Sequence, residues 1–117
     1  MLGSPDPRRL ADFYARLLGW VEVEGSGPSF VRLRAPERER PGLSFQRESD
    51  HESPVWPTRA GSQQMQGHVD VLVDDLETEV ARALWLGATR EEHQPKDGVV
   101  VLRDPDGHPF CLFREGC

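Results

Sequence analysis

The chain has 117 residues, the size of one compact domain or of two small halves sharing a core. Its 14 Lys and Arg against 20 Asp and Glu leave a net charge of −6, which excludes the basic face that a nucleic-acid partner requires. No apolar run approaches the ~20 residues that cross a bilayer, and acid and proline stand where a secretion signal needs an apolar stretch, so a soluble cytoplasmic protein without a membrane partner is expected.

The first regular element is a helix. Asp6 can cap its free amides, Pro7 suits its first position, and Leu10, Phe13, Tyr14, Leu17 and Leu18 recur on one face before Gly19 ends it. Strands follow over residues 20–24, 30–34 and 43–47. Residues 49–65 have no periodicity and carry Trp56 between Pro54 and Pro57; a loop this long is functional or mobile, and Trp56 is a candidate to cover a ligand, to meet a second subunit or to anchor the loop.

Residues 66–73 alternate as a strand. A second helix is capped by Asp74 or Asp75, presents Leu76, Val80, Ala83 and Leu84, and stops at Gly87; Trp85 beside that stripe either widens the core face or joins a dimer patch, and the core is favoured. A β-branched run at 99–103, a turn at Asp104-Pro105-Asp106-Gly107 with glycine available for positive φ, and a strand over 109–114 complete the chain. Cys111 and Cys117 share this last extended segment, ~20 Å apart at about 3.3 Å per residue, too far for a disulfide, so both are expected as free thiols of a reducing compartment.

The two halves correspond. Leu33-Arg34-Ala35-Pro36-Glu37 precedes Leu102-Arg103-Asp104-Pro105-Asp106 by 69 positions, and Gly19 precedes Gly87 by 68. One domain over 1–117 is therefore read as module 1 (1–48) and module 2 (66–117), joined by 49–65, each a strand, a helix and three strands.

Strand parity sorts the side chains. Val69, Val71, Val73, Phe110, Leu112, Leu43 and Phe45 face the helices, which leaves His68, Asp70, Cys111, Phe113, Ser44 and Gln46 on the opposite face. So polar a face reads as the lining of a ligand pocket, with Trp56 added from the loop. His51, His93 and His108 sit in polar loops or beside a turn and are read as exposed or capping residues.

The chain resembles the vicinal oxygen chelate superfamily, in its glyoxalase-like and bleomycin-resistance-like branch. The matching features are Pro5-Asp6-Pro7 leading into Phe13-Tyr14 and Leu18-Gly19-Trp20, His68 ahead of Asp74-Asp75-Leu76, Leu86-Gly87-Ala88, and Asp104-Pro105-Asp106-Gly107-His108-Pro109-Phe110 before the last strand. The resemblance implies an α+β fold of paired βαβββ modules forming a cupped mixed sheet, commonly in a homodimer.

It also implies, for members that are enzymes, a divalent metal held by one side chain from the first and last strands of each module. His68 matches one such position, Cys111 stands where the last strand would have Glu, and Ser44 falls at the equivalent place in module 1. The first strand of module 1 is truncated to almost nothing by Met1-Leu2-Gly3-Ser4 and supplies no ligand.

With His68 and Cys111 as its only sound metal ligands, the chain is expected to bind a small organic metabolite or drug in the cup without a complete metal site and without a cofactor. Cys111 acting as a nucleophile would need a pKa depressed by a neighbour such as protonated His68. The alternatives are a metal-dependent lyase, isomerase or dioxygenase, in which Gln46 and Asp70 replace the missing ligands, and a degenerate module serving protein interaction. The missing first strand leaves a neighbouring edge unpaired, so either the natural start lies upstream or a second copy covers that edge.

Overall fold

The computed structural model describes residues 1–116, so the expectation of a free thiol at Cys117 lies outside the described residues. It forms two compact units, Met1–His51 and the chain from Glu52 onward. The first unit runs β1 (Leu2–Ser4), α1 (Pro7–Leu18), β2 (Val21–Glu22), β3 (Phe30–Arg34) and β4 (Gly42–Arg47). Its sheet has the order β1-β4-β3-β2, with β1 parallel to β4 and the other pairs antiparallel.

The capping signals around α1 act as expected. The Asp6 carboxylate accepts from the amide of Arg9 at 3.2 Å, and Gly19 at φ +68° ends the helix in the left-handed conformation. Leu10, Phe13, Tyr14 and Leu17 are buried together with Val31, Leu33 and Phe45. Tyr14 stacks on Phe45 with ring centroids 5.6 Å apart, so the alternate residues Ser44 and Gln46 lie on the sheet face away from α1.

The expectation of an unpaired edge is corrected by β1 over Phe45, Gln46 and Arg47. Three residues suffice to pair Leu2, Gly3 and Ser4 with Phe45, Gln46 and Arg47, and the amide of Glu48 extends the ladder to the carbonyl of Ser4 at 2.8 Å. The strand stops there because the buried Ser4 hydroxyl accepts the amide of Asp6 at 2.9 Å, turning the chain into the helix cap.

The second unit runs β5 (Val69–Leu72), α2 (Leu76–Leu86), β6 (Thr89–Arg90), β7 (Val99–Arg103) and β8 (Pro109–Phe113), in the sheet order β5-β8-β7-β6. Asp75 is the N-cap of α2; bonds from the amide and hydroxyl of Thr78 hold its carboxyl below the usual range. Val80 and Ala83 are buried with Val100, Leu102, Phe110 and Leu112. Strand β6 carries no alternation to reveal it; it exists because β7 offers a partner, and the amide of Glu91 continues its pairing to Val101.

Trp85 does not join this core. It is 77% exposed, because at 3.6 residues per turn it sits about 140° round the helix from the buried Val80. Its place beside the apolar stripe suggested burial; helical phase decides against it.

The turn at 104–107 is locked from two sides. One Asp104 carboxylate oxygen accepts the amides of Asp106 and His108, at 2.9 and 3.0 Å, while the Ser53 hydroxyl donates to the Asp106 carbonyl at 2.8 Å. The segment before β5 is thereby tied to the second unit. Among the described residues no helix is long and apolar enough to cross a membrane.

Candidate functional site

Strand β5 runs parallel to β8 with Asp70 in register with Cys111, and His68 precedes β5 by one residue on the parity of Asp70. The sheet therefore brings together three residues distant in sequence. His68 Nε2 lies 3.1 Å from Asp70 Oδ1, and one potential ligand atom from each of His68, Asp70 and Cys111 falls within 4.8 Å of the others. His68 and Asp70 are exposed at the side of this cluster, whereas Cys111 is buried.

Burial chiefly, with Asp70 accepting the thiol hydrogen bond and adding its negative charge, pushes the Cys111 pKa up to about 12. Cys111 is consequently a thiol at neutral pH, and the activation of Cys111 that a nucleophilic role would need is reversed. The donor set of imidazole, carboxylate and sulfur fits a borderline divalent ion such as zinc better than a hard ion such as magnesium. His68, Asp70 and Cys111 would hold it, with Cys111 giving up its proton on binding.

The first unit offers much less to a metal. Gly3, the β1 residue in register with Gln46, has no side chain, and the Gln46 amide donates to Glu48 Oε1 at 3.0 Å. Ser44 instead lines a hollow of about 500 Å³ on the sheet face away from α1, together with Val23, Arg32, Arg34, Glu39 and Arg40. These arginines are absent from the sequence-derived set, although the alternation Phe30-Val31-Arg32-Leu33-Arg34 signals them: Val31 and Leu33 are buried, so Arg32 and Arg34 take the other face.

Phe113 is half-buried at the end of β8, in register with Leu72 and Val99. The Trp56 indole donates to the carbonyl of His93 at 3.1 Å, which fastens residues 52–65 to the segment after β6. His51 and His93 stay outside the ligand cluster, and the amide of His108 closes the 104–107 turn. A further hollow of about 540 Å³ lies at α2, lined by Leu76, Val80, Ala81, Leu84, Lys96 and Val100, and His68, Asp70 and Cys111 take no part in it.

The glyoxalase-like domain family matches residues 1–113. Among solved structures, a glyoxalase/bleomycin resistance protein/dioxygenase family enzyme from Burkholderia phytofirmans superposes with a TM-score of 0.72 at 17% identity, covering 97% of this chain and 94% of the other. A possible glyoxalase from Bacillus cereus gives 0.68 at 15% identity over 96% and 92% of the two chains. The fosfomycin resistance protein FosX from Mesorhizobium loti gives 0.65 at 16% identity over 97% and 86%. No curated protein matches the sequence.

Proposed function

Because the chain belongs to the glyoxalase-like domain family, within the glyoxalase/bleomycin resistance/dioxygenase group of folds, we propose that it binds a small organic molecule on a sheet face turned away from its helices. The observation that carries this reading is the hollow beside Ser44, whose volume of about 500 Å³ suits a metabolite or drug and whose wall mixes apolar and charged side chains. Binding needs no resident metal in this reading, which is supported by the glycine at position 3 and the weak ligand Ser44 where the family pattern calls for metal donors. A reducing, cytoplasmic setting belongs to the same reading and is supported by the free Cys111 thiol.

One observation favours a second reading, a metal-dependent lyase, isomerase or dioxygenase: the convergence of His68, Asp70 and Cys111 within 4.8 Å. Thermal unfolding with a panel of carboxylic acids, phosphate esters, amides and amines, in buffer containing chelator, separates the two. At least one compound at saturating concentration is expected to raise Tm by on the order of 5 °C, and Ser44→Trp, which fills the hollow, should remove that shift. A panel without effect in chelator, replaced by a zinc-dependent shift that His68→Ala abolishes, transfers the function to the metal reading.

The same proposal includes a homodimer. Strand β1 covers β4 only at Phe45, Gln46 and Arg47, and residues 42–44 have no described strand on that side to take their backbone groups. Native mass spectrometry should find two 13.2 kDa chains per particle. A particle of one chain discards the dimer.

A further inference from the structure

We propose that the guest of the hollow in the first unit is a small oxyanion, a molecule presenting a carboxylate, phosphate or phosphonate group to Arg32, Arg34 and Arg40. The inference rests on the small-molecule reading above and adds the chemical class of the ligand.

Charge is distributed unevenly along this chain. Residues 1–51 hold eight basic and eight acidic side chains, while the remainder holds six basic and twelve acidic, so the whole net charge of −6 belongs to the second unit. Within the neutral first unit the hollow nevertheless gathers three of the eight basic residues and only one acid, Glu39. Three guanidiniums at one hollow repel one another, an arrangement that an anionic guest relieves.

The guanidiniums are also available. Carboxylates neutralise some guanidiniums outside the hollow: Arg8 meets Glu22 at 2.7 Å and Arg103 meets Glu91 at 2.6 Å. The side chains of Arg32 and Arg40 have no hydrogen bond or ion pair among the described residues. Arg34 is steadied by donating from Nη1 to the carbonyls of Ala35 and Pro36, at 3.0 and 3.1 Å, contacts that orient the group without cancelling its charge.

Register supplies the remaining partner. Arg32 pairs across the ladder with Ser44, which sets a hydroxyl beside a planar fork suited to two oxygens of one anion. A volume of about 500 Å³ in a unit with no net charge fits a small anion and not a nucleic acid, which demands an extended basic surface.

The test uses the full chain and four probes with one aromatic body: phenylphosphonate, benzoate, benzamide and benzylamine, titrated calorimetrically at low ionic strength. The two anions are expected to bind at least about tenfold more tightly than the amide and the amine, and added salt should weaken them. Arg32→Gln and Arg40→Gln should each cost about tenfold in anion affinity. Arg40 is exposed in a loop, so its variant folds even if the strand variant does not.

Benzamide binding as tightly as benzoate, with both lost in Ser44→Trp, overturns the charge assignment while the small-molecule reading stands. Anion binding that neither glutamine variant changes places the anion elsewhere and overturns it as well. Silence from all four probes also defeats it, and the thermal panel then decides the broader reading by itself.

Discussion

Gly107→Ala is expected to destabilise the protein by about 3 kcal/mol, read as a lower denaturation midpoint with an unchanged slope. Two costs combine. Gly107 has φ +86°, a conformation that costs an L-residue roughly 1–2 kcal/mol. A Cβ there would also lie 2.5 Å from the Cβ of Ser53 and closer still to its hydroxyl, an overlap worth about 1–3 kcal/mol. Yielding would further break the hydroxyl's 2.8 Å bond to the Asp106 carbonyl and loosen residues 52–65.

A second variant separates the costs. Ser53→Gly combined with Gly107→Ala removes the side chain in the way, and stability should recover to within about 1–2 kcal/mol of Ser53→Gly alone, the residue being the backbone conformation. A Gly107→Ala protein within about 0.5 kcal/mol of the parent would show that the turn is not locked as described.

The other large effect concerns the reactivity of Cys111. With its pKa pushed up to about 12 by burial and by Asp70, the thiolate population at neutral pH falls roughly a thousandfold below that of an ordinary cysteine. Alkylation by iodoacetamide should be slower in the native protein by that order, followed at Cys111 itself by peptide mass mapping. Asp70→Asn removes the negative charge and should speed the reaction while leaving the contribution of burial. Equal rates for native and unfolded protein would contradict the thiol environment.

The sign of the pH dependence follows from the same raised value. Below the ordinary thiol range both states are protonated and the stability from this group is intact. As pH rises from that range to about 12 the unfolded chain loses the proton first, so stability falls. Cys111→Ala should flatten that alkaline loss relative to the parent, which isolates Cys111 from the other groups titrating there.

Much of the architecture is written locally. The caps Asp6 and Asp75, the stops Gly19 and Gly87 and the turn at 104–107 depend on contacts a few residues apart, the strands at 30–34 and 99–103 announce themselves by alternation and a β-branched run, and the structure places all of them where periodicity and turn chemistry predict. The 69-residue repeat is equally legible, since β3 and β7 begin at Phe30 and Val99. Strand parity also puts His68, Asp70 and Cys111 on one face from the sequence, because alternation is a property of a single strand.

Only tertiary structure decided what depends on distant partners. β1 and β6 have too few residues for a pattern and form because β4 and β7 offer free backbone groups. The closeness of His68, Asp70 and Cys111 is set by the parallel register of β5 and β8, and the raised Cys111 pKa by the burial and charge that this register creates. Arg32 and Arg34 were visible as residues, yet what proposes them as ligand groups is the hollow they line and the lack of a carboxylate partner among the described residues, because ion pairing is fixed by the fold and not by sequence distance.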